Sequence, residues 1–403
     1  MSSGGSKREL YEFTKRLKRD GNSISLYTNS KEEGQYLDLS SFVDHIFEYK
    51  YKKFKNITFT LPFLKSILNL VISLLNIKRL IKISKKMAKN IDSKGYEFIF
   101  IHHNKEFVQS PFLLKYLKTK TIYFCAEPQR IFYDEGLFKK LKSECIEKSN
   151  YIKSLYTFFT NLIDNPCKYY LMKKIKEYDF DNVKYSDLIL TNSNFSYEKI
   201  LSAYGLNSRV VHLGGDIYGI NKKKLKYKKN QILTIGSINP IKCFDFITIA
   251  IGLIKKEIRP NLVIVGNSVN NNYLRKLKEI AIENNVDISF MINISDDDLK
   301  KVIMQSYIFA YTPYLEPLGL APLEAMSLGL PIVAIKEGGI RETVIDGYNG
   351  FILERNKKEF SNKITELIED KKKYMEMGDN SITHINRYWN WDMAYKRFME
   401  SIT

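Results

Sequence analysis

The sequence is poor in cysteine, tryptophan and histidine, with four, two and five residues among 403. Cys125, Cys145, Cys167 and Cys243 are widely spaced and form no Cys-x-x-Cys pair. No zinc site or disulfide framework is readable, which points to a reducing compartment. Long apolar runs are also missing. No uncharged stretch reaches the roughly 18 residues that a membrane-spanning helix needs. The start, MSSGGSKREL, has no apolar core of a secretion signal. Acidic residues fall short of basic ones, 45 against 63, for a net charge of +18. The shortfall is uneven. Residues 1–215 hold 36 Lys/Arg and 22 Asp/Glu (net +14), and the remainder 27 and 23 (net +4). Between residues 50 and 94, Asp92 stands alone among twelve basic side chains. A basic half suits nucleic acid, anionic lipid or a phosphorylated substrate. A lysine-rich coding bias accounts for the total but not for the asymmetry.

What is present is globular, with 44% hydrophobic and 27% charged residues. The length exceeds one ordinary core and suits two domains. In the carboxyl half, apolar runs at Ile232–Ile235, Leu262–Val265, Ile288–Met291, Ile308–Tyr311, Ile332–Ile335 and Phe351–Leu353 read as buried strands. Helical stretches such as Phe244–Lys256 and Leu299–Gln305 lie between them. This alternation predicts a parallel, doubly wound sheet, whose ligands bind beyond the strands' carboxyl ends. The amino half repeats the theme at Ser23–Tyr27, Phe98–His102, Thr121–Cys125, Leu188–Thr191 and Val210–Leu213, with a helix at Glu9–Lys18. Two stretches break the rhythm: Leu61–Asn90, apolar and then basic, and Ile131–Tyr178, rich in Tyr, Phe and Lys. Both fit amphipathic helices on a membrane surface, and Leu61–Asn90 reads equally well as a helix packed on its own domain.

The densest signal is YLEPLGLAPLEAMSLGLPIVAIKEGG, Tyr314 to Gly339. A strand ends at Tyr311-Thr312-Pro313, the chain turns through Glu316-Pro317-Leu318-Gly319, and a helix is predicted near Pro322. That places Glu316 on the loop and Glu324 in the helix's first turn. Gly319 permits close backbone approach to a ligand, and helix-start amides donate to its oxygens. Two carboxylates there suit a polyhydroxy ligand. A capped helix with a solvated glutamate would give the same local pattern.

The segment from Glu316 to Glu342, with Asp346-Gly347-Tyr348-Asn349-Gly350-Phe351 after it, resembles the nucleotide-sugar-binding region of family 4 (GT4-type, group 1) retaining glycosyltransferases. The resemblance implies a GT-B fold: α/β, two Rossmann-like doubly wound domains facing a cleft. The implied boundaries are residues 1–214 (acceptor side, with helical insertions at 61–90 and 131–178), 215–385 (donor side) and 386–403, a helix crossing back to the first domain. It implies that Glu316 contacts donor-sugar hydroxyls, that Glu324 holds the ribose, and that the Gly319 and Leu320 amides lie near the sugar. Ile235-Gly236-Ser237 to Cys243-Phe244-Asp245 resembles the family's G-R-x-x-x-x-K-G-x-D. Lys242 takes the place of the lysine that binds the donor diphosphate, and a cation there stabilises the departing group. Ser237 stands where the family has arginine. On the acceptor side, His102-His103, Ser110–Leu114 and Glu127-Pro128-Gln129-Arg130 resemble the same family, with Ala126 in place of its usual histidine. His102, Glu127 and Arg130 are the acceptor-side candidates. Neighbouring strand residues face opposite ways, so one of the two histidines is structural, and His103 joins Glu316 and Lys242 as a catalytic candidate.

Gly5 matches the second glycine of the family's Gly-Gly loop and is a donor-site candidate. The family's first strand precedes that loop, and here Gly4-Gly5 stand almost at Met1. The amino-terminal sheet is therefore expected to lack its first, central strand. The implied partners are a UDP- or GDP-sugar, a glycan or lipid-linked acceptor and an anionic membrane surface, with no nucleic acid. No cofactor or metal is expected. Asp179-Phe180-Asp181 mimics a metal-binding D-x-D but falls in a helical stretch. The implied activity is transfer of a hexose-type sugar in cell-surface polysaccharide synthesis, in the cytoplasm or peripherally on the membrane's inner face. A catalytically silent nucleotide-sugar-binding or scaffold protein, and a GT-B nucleotide-sugar epimerase, remain open as alternatives.

Overall fold

The computed structural model describes residues 5–28, 38–56, 62–102, 110–134, 166–217 and 230–403. The amino half carries β1 (Ser25–Thr28), β2 (His45–Glu48), β3 (Ile99–His102), β4 (Thr121–Phe124), β5 (Leu188–Thr191) and β6 (Arg209–Val210). The carboxyl half carries β7 (Gln231–Ile235), β8 (Asn261–Gly266), β9 (Ile288–Ile292), β10 (Ile308–Tyr311), β11 (Ile332–Ile335) and β12 (Gly350–Leu353). All strand pairings between them are parallel. The second half is one six-stranded sheet in the order β12-β11-β10-β7-β8-β9. Its chain moves outward from β7 to β9, returns to the centre at β10 and runs out the other side. The reversal lies between β7 and β10, and their carboxyl ends open the crevice where doubly wound sheets take ligands.

Alternate side chains of these strands enter opposite layers. Ile308 and Ala310 pack with Phe244, Ile247 and Ile251 of the helix Phe244–Gly252. Phe309 and Tyr311 face the other way, into a cluster with Leu323, Trp391 and Phe398. That second cluster continues into the amino half through Phe13, Ile122, Phe124 and Leu190. Phe13 belongs to α1 (Gly5–Arg19), and its ring stacks on Phe398 at 4.8 Å. The closing helix Trp391–Ile402 is further tied to α1 by Arg16 to Asp392 at 2.8 Å and by Tyr395 donating to Asp20 at 2.8 Å.

The strands fall within a residue or two of the apolar runs that predict them, with two exceptions. β2 is not predicted, because His45 and Ile46 are exposed and the strand lacks a buried apolar run. Val210–Leu213 pairs only at Arg209–Val210, since the chain then turns through Gly214-Gly215 against the closing helix. A Cβ on Gly214 would stand 2.3 Å from the Asn390 carbonyl carbon. The helix predicted over Phe244–Lys256 stops at Gly252, where a Cβ would meet Asn284 at 2.7 Å.

The amino-half sheet comes in two pieces, β1-β2 and β3-β4-β5-β6. Among the described residues no strand bridges β1 and β3. Side chains do so instead, with the Tyr27 hydroxyl 3.1 Å from that of Tyr96 and donating to Asn90 at 3.0 Å. The stretch beginning at Leu61 is α2 (Pro62–Asp92), 31 residues long, which buries Ile77, Leu80, Met87, Ala88 and Ile91. Most of Ile131–Tyr178 lies outside the described residues. Its end enters the helix Pro166–Val183, where Asp179 is buried and accepts from the Ser110 amide and the Tyr204 hydroxyl, each at 2.8 Å.

A two-stranded sheet with half-exposed residues has little burial to resist local opening. Amide hydrogen exchange is therefore expected to be much faster in β1 and β2 than in β10 and β11, which are buried throughout. Equal protection in the two sheets would contradict this.

Candidate functional site

The loop after β7 carries Lys242 at the end of a short turn, Pro240–Lys242, capped by Asn239 accepting from the Ile241 amide at 3.1 Å. Thr312, just past β10, donates to the carbonyls of Lys242 (3.2 Å) and Cys243 (3.1 Å), so the two loops move as one. The Lys242 stem runs across Gly236, where a Cβ would stand 3.2 Å from Cε. Its Nζ meets Glu316 Oε2 at 2.5 Å.

Glu316 sits on the loop after β10, with Leu315 at φ 46° and Gly319 at φ 87°. The Gly339 amide donates to the Glu316 carbonyl at 2.9 Å. A Cβ on Gly339 would stand 1.9 Å from the Pro317 oxygen, so only glycine allows this seating. Gly319 precedes the helix Leu320–Ser327. This corrects the expected helix start near Pro322: Leu320 opens the helix, and Glu324 falls in its second turn.

The amino half closes over the same loop. Arg130 binds Glu127 at 2.7 Å and donates to the carbonyls of Tyr314 (3.2 Å) and Leu315 (2.6 Å). The Ser193 hydroxyl donates to the Pro317 carbonyl at 2.6 Å. Glu342 accepts from the amides of Asn194 (2.9 Å) and Phe195 (3.1 Å) at the start of the helix Asn194–Tyr204, and its Oε2 lies 2.7 Å from His212 Nε2. Four charges thus converge from both halves: Lys242, Glu316, Arg130 and Glu127. Burial opposes the charge of Glu316, but Lys242 and then Arg130 outweigh it and hold the carboxyl below its ordinary range. Glu127 moves the other way. Burial pushes its carboxyl up, Arg130 opposes, and the neighbouring Glu316 adds to the rise.

A second cluster lies beside it. Arg8, in the first turns of α1, pairs with Asp216 of the linker, and both charges act on Glu324. Burial dominates at Glu324 and pushes its carboxyl up to about 7. Gly5 opens α1, which carries Arg8 to this place. Ser237 lies on the β7 loop, where its carbonyl accepts from the Asn239 amide at 2.8 Å. His102 is stacked on Phe124 at 5.7 Å, with Nδ1 3.4 Å from the buried carboxyl of Glu9. His103 lies outside the described residues. The Arg8 and Glu342 contacts have no local sequence signature, because each joins residues more than 100 positions apart. Among the described residues no group of three or more His, Cys, Asp or Glu converges as a metal site.

Residues 219–384 match the family model for glycosyl transferases group 1. Alpha-1,3/1,6-mannosyltransferase ALG2 of Dictyostelium discoideum is 25% identical over 300 residues, 68% of this chain and 68% of that protein. Anabaena Alr3699/HepE, solved in complex with UDP-glucose, superposes with a TM-score of 0.71 at 15% identity, covering 100% of this chain and 96% of that one. WaaG, a glycosyltransferase involved in lipopolysaccharide biosynthesis, superposes at 0.65 and 13%, covering 100% and 97%. The two structures establish the fold, GT-B. Fold and sequence agree on the carboxyl half: residues 219–384 carry the glycosyl transferases group 1 domain, set in a GT-B fold.

Glu324 has a clear pH signature. A carboxyl held at about 7 in the fold, against about 4.3 unfolded, binds more protons folded than unfolded between those values. Its contribution to stability therefore falls as pH rises through that window and levels off above about 7. Glu324→Gln is expected to raise the melting temperature at pH 8 and to lose that advantage near pH 4.5. A pH-independent shift in thermal melts would contradict the assignment.

Proposed function

We propose that this glycosyltransferase moves a hexose-type sugar, with retention, from a UDP- or GDP-sugar to a glycan or lipid-linked acceptor. The observation that carries the reading is the convergence of Lys242 and Glu316 from the adjacent strands β7 and β10, at the sheet's reversal point. A cation and a carboxylate side by side suit a ligand that joins a diphosphate to a polyol. Lys242 holds the diphosphate and stabilises its departure, and Glu316 accepts from sugar hydroxyls. Glu324 accepts from the ribose, and the amides of Gly319 and Leu320 face the sugar. No metal is called on, since Lys242 and the helix start supply the positive field. His102, Glu127 and Arg130 are assigned to the acceptor side, and His103 stays a catalytic candidate. The likeness to ALG2, a mannosyltransferase, supports a hexose donor.

A panel of nucleotides and nucleotide sugars in thermal-shift assays tests this, because a ligand that binds only the native state raises its melting temperature. Lys242→Ala is expected to weaken UDP or GDP far more than uridine or guanosine. Glu316→Gln should cost about 1.5–3 kcal/mol of donor binding or turnover, the scale of a hydrogen bond to a charged group. Equal losses for nucleoside and diphosphate, or normal turnover in folded Glu316→Gln, would defeat the reading.

The same protein is proposed to act at an anionic membrane surface, peripherally on the cytoplasmic face. α2 exposes Leu64, Leu68, Val71 and Leu75 by 38–48% each, a single stripe at helical spacing. Lys78, Arg79, Lys82, Lys85, Lys86 and Lys89 continue the same helix. Exposed Tyr169 and Tyr170 lie on the helix Pro166–Val183, which packs beside it. No helix among the described residues is long and apolar enough to cross a membrane. Vesicle flotation is expected to show binding to anionic liposomes that weakens with salt, as screening over about 8–10 Å requires. Leu68→Ser with Val71→Ser should weaken it further. Equal binding to neutral and anionic vesicles would remove the membrane from the account.

A further inference from the structure

Lys242 and Glu316, both assigned to the donor above, hold each other at 2.5 Å. A diphosphate carries more negative charge than one carboxylate and competes for the same ammonium. Glu316 then needs another donor to keep its buried charge satisfied and its orientation fixed. Arg130 faces it, but its guanidinium is engaged with Glu127, Tyr314 and Leu315.

Tyr311 ends β10 directly beneath this loop. It is only 3% exposed, and its hydroxyl is buried with no hydrogen-bond partner. The hydroxyl points at Gly319, where a Cβ would stand 2.2 Å from it. Burial first, and the charge of Glu316 second, keep the phenol protonated, so it remains a donor. A phenylalanine would fill this place equally well and leave no polar atom unsatisfied. A hydroxyl that costs the unliganded protein stability, aimed at the start of the donor-binding helix, has its use in the liganded one.

We propose that Tyr311 is a positioning residue of the donor site: its hydroxyl donates to the Glu316 carboxylate once Lys242 turns to the donor's diphosphate, and so holds Glu316 toward the sugar. This inference rests on the reading of Lys242 and Glu316 as donor contacts.

The test is Tyr311→Phe, measured by calorimetry with the pairs UDP/UDP-glucose and GDP/GDP-mannose, beside thermal melts without ligand. Melting is expected to be unchanged or higher in the variant, and affinity for the nucleoside diphosphate to fall less than affinity for the nucleotide sugar. Affinity for the matching nucleotide sugar should fall about tenfold or more, the scale of one hydrogen bond to a charged group. An undiminished affinity for the nucleotide sugar would overturn the proposal. So would an equal loss for diphosphate and nucleotide sugar, or a lower melting temperature, since either makes the hydroxyl structural. The underlying reading fails separately. In that case the wild type itself would gain nothing from the sugar, binding each diphosphate as tightly as its nucleotide sugar or binding neither.

Discussion

The adjacency of β7 and β10, which brings Lys242 to Glu316, is the constraint around which the carboxyl half is arranged. The two residues are 74 positions apart and meet because β7 and β10 are neighbours in the sheet, which in turn requires the chain to reverse direction after β9. At an effective dielectric of about 20, unit charges 4 Å apart attract by about 4 kcal/mol. Burial works against both charges, so the net value is smaller. The glycines serve the same contact. Gly236 leaves room for the lysine stem, and Gly338-Gly339 let a second loop seat against Glu316 and Pro317.

The amino half completes this arrangement rather than standing opposite it. Arg130 crosses to the Tyr314 and Leu315 carbonyls, Ser193 to that of Pro317, and Glu342 returns from the carboxyl half to the amides of Asn194 and Phe195. The cluster around Phe13, Trp391 and Phe398 backs these polar contacts with a continuous apolar joint. In a GT-B fold two halves face a cleft, and here the loop that carries Glu316 is gripped by both.

Much of the carboxyl half is legible in the sequence because its strands are buried on both faces and appear as continuous apolar runs bounded by turn residues. The Glu316 motif is local, so Glu316 and Gly319 can be placed after a strand from sequence, while Lys242 is found through the family resemblance. The helix opens two residues before the position Pro322 suggests, because Pro322, a good first-turn residue, also fits the third position of a helix opened by Leu320. The amino half is less legible for a physical reason. β2 is half exposed and β6 has two residues, so neither yields a periodic pattern. Arg130 reads as an acceptor-side residue in sequence, and only the fold brings the carbonyls of residues 314 and 315 to it. The Arg8–Asp216 pair beside Glu324 is invisible for the same reason, since nothing local links positions 8 and 216.

One distinction decides how the site can work. The Glu316 loop owes its shape to main-chain contacts: the Gly339 amide on the Glu316 carbonyl, Arg130 on two carbonyls and Ser193 on a third. The Lys242–Glu316 ion pair joins only side-chain tips. Each hydrogen bond to these carbonyls contributes about 0.5–1.5 kcal/mol, or about 1.5–3 where the guanidinium is the donor. Together they rival the ion pair without depending on it. The Lys242 ammonium can therefore exchange a carboxylate for a phosphate while the loop backbone stays in place. A site held instead by that ion pair would have to come apart to bind its ligand.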